Sequence, residues 1–148
     1  MKEIYTEIEI ESSPRVVWRI LTDFASYPSW NPFIPSAQGE LTEGALLRIK
    51  IRPPGKKAQD YRVRILKIDE PKQFWWLGHF HMRGLIDGKH LFAINPVADN
   101  KIQFVQREYF SGLLVPLVWK SFLDTHLRQG FEELNRSLKT RAEQSSGL

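Results

Sequence analysis

The chain contains no cysteine, which excludes a disulfide framework, a thiolate zinc site and a cysteine nucleophile. It also lacks a long apolar run. The longest, near Phe110 to Trp119, is interrupted by Ser111, Gly112 and Pro116, whereas a bilayer-spanning helix needs about 20 apolar residues. The opening Met1-Lys2-Glu3-Ile4-Tyr5 has no apolar core of the signal-peptide kind, so a cytoplasmic location is the expectation. No Gly-x-Ser-x-Gly elbow, phosphate-binding glycine loop or dinucleotide fingerprint occurs. No serine or tyrosine has a base at a spacing that signals activation. The charge balance is mild: 21 Lys and Arg against 17 Asp and Glu give +4, which permits an anionic partner without requiring one.

What is present describes one globular domain over residues 1–148, with 42% hydrophobic and 26% charged residues. Ile4, Ile8 and Ile10 alternate with Glu3, Glu7, Glu9 and Glu11, the pattern of a half-buried strand. Ser13-Pro14 supplies a helix cap and first turn, followed by Val17, Ile20, Leu21 and Phe24 at helical spacing. Pro28, Pro32 and Pro35 then predict a short second helix and an irregular connection. From Ser36 to Phe110 the period is two, with turn signals at Pro53-Pro54-Gly55, Pro71 and 96–101, so short links join antiparallel neighbours. Phe122, Leu123, Leu127, Phe131, Leu134 and Leu138 form an apolar stripe on a long helix over roughly 116–143, and residues 143–148 read as a frayed tail. The order predicts an α+β fold: a curved antiparallel sheet of about seven strands around the C-terminal helix, with two short helices after the first strand. Such a sheet and helix leave room between them for a ligand.

The segment Ser13-Pro14-x-x-Val17-Trp18-x-x-Leu21-Thr22-Asp23-Phe24-x-x-Tyr27-Pro28-x-Trp30-Asn31-Pro32-Phe33 resembles the amino-terminal motif of polyketide cyclase/dehydrase-like proteins. These belong to the START-like (SRPBCC, helix-grip) superfamily. Gly88-x-His90-x-Phe92, Glu108-x-Phe110-x-Gly112-Leu113-Leu114-Val115-Pro116 and Gly130-Phe131-x-x-Leu134-Asn135-x-x-Leu138 agree in the same order. The resemblance implies a helix-grip fold and either hydrophobic or lipid-like ligand binding or cyclase/dehydratase chemistry without a metal. No cofactor is expected. Fold alone does not choose among these functions.

The candidate site comes from the later strands. Ile102, Phe104, Gln106, Glu108 and Phe110 share one parity, as do His90, Phe92 and Ile94. Placing Phe92 opposite Phe104 sets His90 opposite Gln106 with Glu108 one diagonal step away. Trp75, Leu77 and His79 are expected to continue this wall, and Phe122, Leu123 and Phe131 to close it from the helix. His90 and Glu108 read in three ways: a mutually satisfied structural pair, groups that orient a mostly apolar ligand, or an acid–base pair. His79, His81 and His90 together could form a three-histidine metal site only if His81 stayed in the strand, and no metal is expected. Asp23 and Asn31 read as local turn acceptors rather than chemistry.

Two surface features remain. The hairpin from Arg48 to Lys67 carries eight basic residues, among them Arg48, Lys50, Arg52, Arg62 and Arg64, against Asp60 alone. Alternation with Leu47, Ile49, Val63 and Ile65 makes these a solvated strand face that can meet a protein or an anionic surface. Stacking aromatics are scarce there, so nucleic acid is not expected. The segment Phe110 to Trp119 is either packing for the helix start or an apolar lip. A filled core acting only through such surfaces is the third functional reading.

Overall fold

The computed structural model describes residues 2–146. Its seven strands form one sheet in the order β1-β7-β6-β5-β4-β3-β2, every neighbouring pair antiparallel. The strands are β1 (Lys2–Ile10), β2 (Ser36–Gln38), β3 (Leu46–Ile51), β4 (Gln59–Asp69), β5 (Gln73–Phe80), β6 (Ile86–Ala98) and β7 (Lys101–Ser111). Between β1 and β2 lie α1 (Pro14–Thr22), a 3-10 turn (Phe24–Ser26) and α2 (Tyr27–Trp30). Ser13 caps α1, its Oγ accepting from the Val16 amide at 3.2 Å, and Pro14 fills the first turn. Asn31 ends α2 by accepting from the amides of Phe33 (3.2 Å) and Ile34 (2.8 Å), while Asp23 Oδ2 accepts from Ser26 Oγ at 2.6 Å. Both are turn acceptors, as their positions predict.

Alternation decides which face each strand buries. Ile4 and Ile10 of β1, Leu47 and Ile49 of β3, Val63 and Ile65 of β4, and Ile102, Phe104 and Phe110 of β7 all point into one core. A register shift between Ile65 and Lys67 interrupts the β4–β5 ladder, and such an irregularity increases local twist in a sheet that must curl around a helix.

The C-terminal helix begins earlier and ends later than its apolar stripe predicts. It comprises α3 (Val115–Val118), a π-helical stretch (Trp119–Leu127) and α4 (Arg128–Ser146). Much of the expected tail is therefore helical: Glu143 accepts from the Glu11 amide at 2.9 Å and from Lys139 Nζ at 2.6 Å, and 147–148 lie outside the described residues. Phe131, Leu134, Leu138 and Ala142 are fully buried beneath the sheet and α1. Gly130 allows this close packing: a Cβ there would stand 2.2 Å from the Phe33 ring, which would have to shift and whose neighbour across the interface is Phe131 at 5.6 Å. No described helix is long and apolar enough to cross a membrane.

Candidate functional site

β6 and β7 place His90 directly opposite Glu108 and Phe92 opposite Gln106. The predicted register is thus two residues out, but its parity holds, so His90, Phe92, Phe104, Gln106 and Glu108 all face inward. The imidazole of His90 is 3% exposed. It stacks on Phe92 at 4.1 Å and 6°, and on Phe131 at 4.7 Å and 25°, with Trp76 edge-on at 6.0 Å. Its Nε2 lies 3.0 Å from Gln106 Oε1 and its Nδ1 3.4 Å from Glu108 Oε1.

The hydrogen bonds around Gln106 fix where the His90 proton sits. Phe131 carbonyl oxygen can only accept, and it faces Gln106 Nε2 at 3.0 Å, so that atom is the amide NH2. Gln106 Nε2 also donates to Asn135 Oδ1 at 2.8 Å, and Asn135 Nδ2 donates to Thr6 Oγ1 at 3.0 Å. Gln106 Oε1 is left as the acceptor, and His90 Nε2 must carry the hydrogen that points at it. The second nitrogen, Nδ1, then faces Glu108 Oε1 at 3.4 Å. All five polar side chains of the network are buried, which makes each bond costly to break. Gly88 leaves the space the carboxylate needs, since a Cβ there would lie 2.1 Å from Glu108 Oε2.

Free space near this pair is small. A cavity of about 10 Å³ is bordered by Ile34, Ile49, Trp76, His90, Glu108 and Leu127, too little to hold a molecule beyond water size. A larger cavity of about 160 Å³ opens outward between the β3–β4 hairpin and the helix, lined by Pro53, Lys56, Tyr61, Phe80, Phe122 and Leu127. Ile51, Tyr61, Phe80 and Leu127 border both cavities, and Tyr61 and Phe80, which meet edge to face at 4.8 Å, form the aromatic part of the partition between mouth and interior. Burial raises the Tyr61 hydroxyl above the ordinary tyrosine pKa, keeping it neutral at the partition. Phe122 and Leu127, five residues apart on the π-helical stretch, both reach the mouth, a spacing that the wider π turn brings onto one face.

Three expected wall residues point the other way. Trp75, Leu77 and His79 occupy the outward parity of β5, although His79 still borders the small cavity, while Phe74, Trp76 and Phe80 point inward. Trp75 stacks on Tyr109 at 6.3 Å and packs on Leu91, Ala93 and Val105 outside the sheet, with Lys89 Nζ 4.9 Å above its ring. His79 Nδ1 lies 2.6 Å from Asp87 Oδ1 on the same outer side. The β5 segment carries large apolar groups on both parities, Phe74 and Trp76 in the core and Trp75 lying over Leu91, Ala93 and Val105 on the outer face, so alternation could not choose. Phe104 and Leu123 are core residues away from either cavity, and only Phe131 of the helix trio touches His90. Trp76, Tyr61, Phe80, Asn135 and Thr6 join the site although none was among the expected wall residues; the shared parity of Phe74, Gly78 and Phe80 was the signal available for Trp76.

His79 and His90 lie on opposite faces and His81 takes a left-handed φ of 70° beyond β5, so the three histidines do not converge. Among the described residues no group of three or more His, Asp or Glu is placed to hold a metal ion.

These features define a helix-grip domain with a buried polar pair behind an aromatic partition. The chain belongs to the family described as polyketide cyclase / dehydrase and lipid transport, whose model matches residues 1–143. Among solved structures it is similar to an aromatase/cyclase from a Streptomyces strain, with a TM-score of 0.79, 13% identity, and 97% of this chain and 94% of that one covered. It is also similar to a START superfamily protein from Mycobacterium smegmatis (TM-score 0.74, 20% identity, 97% and 98% covered). A third is a norcoclaurine synthase from Thalictrum (TM-score 0.74, 12% identity, 97% and 95% covered). At these identities the likeness is one of fold. Comparison with curated protein sequences finds no match.

Proposed function

We propose that this protein binds a small hydrophobic or aromatic molecule between sheet and helix, with His90 and Glu108 as its polar contacts. The observation that carries this reading is the pair itself: two ionisable groups facing each other at 3.4 Å, set among aromatic rings behind the partition to which Tyr61 and Phe80 belong. A ligand with a flat apolar body and one hydroxyl or carbonyl suits that wall. Binding requires the Tyr61–Phe80 contact to part, because the interior space is closed without it.

The same geometry favours a second reading, acid–base chemistry on such a ligand. With Nε2–H committed to Gln106, Nδ1 and the Glu108 carboxyl are the two groups left to exchange a proton with a ligand, and a cyclisation or dehydration needs one group to take a proton and one to give it. The likeness in fold to an aromatase/cyclase supports this reading by analogy. A closed core that acts only through its surface is the competing account. Native mass spectrometry of the purified protein, followed by solvent extraction and by titration with uncharged 2-naphthol, separates them. A 1:1 complex, weakened tenfold or more in His90→Phe, supports the interior site. Absence of both a co-purified molecule and a naphthol complex refutes it, and the surface account then stands.

A further inference from the structure

The outward face of β3, β4 and β5 carries a second, independent concavity. Arg48 stands directly opposite Arg62, and Arg64 opposite both Leu46 and Leu77. With Arg83 from the β5–β6 loop these residues line a groove of about 820 Å³, the size of a small-molecule site. Like charges directly across two strands destabilise a sheet, whereas other cations of the surface are paired, Arg15 with Glu70 at 2.6 Å, Lys101 with Glu9 at 3.2 Å and Arg107 with Glu3 at 2.9 Å. Among the described residues no ion pair reaches Arg48, Arg62 or Arg64. The groove's one carboxylate from the hairpin, Asp60, is engaged by Lys50 at 3.0 Å. Arg64 Nη1 is anchored on the Gly44 carbonyl at 2.7 Å. Asp87 holds the opposite wall in place, accepting from His79 and from the Gly84 amide at 3.0 Å, and that loop carries Arg83.

We propose that this groove binds a soluble organic phosphate, its phosphoryl group on Arg48, Arg62 and Arg64 and its apolar body on Leu46 and Leu77. Guanidinium forks match phosphate oxygens in pairs, and several of them around one space suit a compact group of more than one negative charge. The apolar residues favour a free molecule over a bilayer. Leu77 is half-buried between charged neighbours, so it is a floor for something that enters the groove, not a tip that enters a membrane. Tyr61, the one Phe, Tyr or Trp residue lining the groove, is half-buried and packed edge to face on Phe80, so it offers no open platform on which single-stranded nucleic acid could stack.

The test is calorimetric titration with 1-naphthyl phosphate at fixed ionic strength, with amide shifts mapped by NMR. The proposal expects saturable binding, shifts at Leu46, Arg62, Leu77 and His79, and about tenfold weaker binding in each of Arg48→Gln and Arg62→Gln. Arg136→Gln on α4 is expected to bind like the parent protein. Both groove substitutions remove a like-charge contact from an exposed face, so unchanged or raised thermal midpoints confirm that they fold. Absence of saturable binding overturns the proposal, as do shifts centred on His90 and Trp76. Arg62-dependent capture by phosphatidylglycerol vesicles that naphthyl phosphate does not compete away also overturns it, in favour of a membrane surface.

Discussion

Replacing Gln106 by methionine keeps the length and apolar stem of the side chain while deleting its amide. In the native protein that amide accepts from His90 Nε2 and donates to Asn135 Oδ1 and to the Phe131 carbonyl. Gln106 is 0% exposed, so no water replaces these bonds on the spot. His90 Nε2–H and Asn135 Oδ1 lose their partners, at about 1–3 kcal/mol each. Local relaxation and the weak acceptor strength of the thioether offset part of this, leaving a net cost of about 3 kcal/mol. For a domain of this size that corresponds to a fall of roughly 6–12 °C in Tm. Urea unfolding measures the energy, and nitrogen shifts of the His90 ring report the tautomer. The parent protein is expected to show Nε2–H, and Gln106→Met to lose that preference. A cost below about 1 kcal/mol, or a parent His90 protonated at Nδ1 and bare at Nε2, refutes the network as described.

Gly88→Ala forces a methyl group against Glu108 Oε2; the carboxylate must leave His90 Nδ1, so ring shifts of His90 change while β6–β7 amides stay protected from exchange. Gly130→Ala drives a Cβ into the Phe33 ring and is expected to cost about 1–3 kcal/mol by overpacking, read in the urea midpoint, with Phe33→Leu recovering part of the loss. The Glu11 amide, then the Lys139 ammonium, hold the Glu143 carboxyl below its ordinary range. A lowered folded value means that Glu143 stabilises the protein above the unfolded carboxylate pKa, and that this contribution disappears as pH falls through the folded value. The parent protein is therefore expected to exceed Glu143→Gln by under about 1 kcal/mol near pH 6, a screened surface contribution, with the gap closing toward pH 3. A gap that widens on acidification contradicts the assignment.

Local signals carried most of the fold. Ser13-Pro14 caps α1 because a hydroxyl and a fixed φ act within one turn, and the alternation of β1, β3, β4 and β7 reports one covered face. The same logic placed His90, Gln106 and Glu108 together, since parity survives a register error of two residues. It failed on β5, where Trp75 and Trp76 are adjacent and each has a packing surface, one outside and one inside the sheet. Asn135 and Thr6 joined the site through contacts between residues 29 and 129 apart in the chain. No periodicity encodes such a contact. The partition escaped because Tyr61 and Phe80 meet across β4 and β5 in a register that shifts between Ile65 and Lys67, and alternation within one strand does not encode that shift. The open cavity expected from the sheet-and-helix arrangement is reduced, because Trp76, Phe92 and Phe131 turn their rings into it.

The central claim is that the interior behind Tyr61 and Phe80 admits a ligand that reaches His90. The most direct measurement is an NMR titration with uncharged 2-naphthol, following the His90 ring and the Trp76 indole together with Tyr61 and Phe80. The account predicts saturable shifts at all four residues and contacts between naphthol protons and the Phe92 and Phe131 rings. Saturation confined to surface residues, with His90 and Trp76 unmoved, contradicts it.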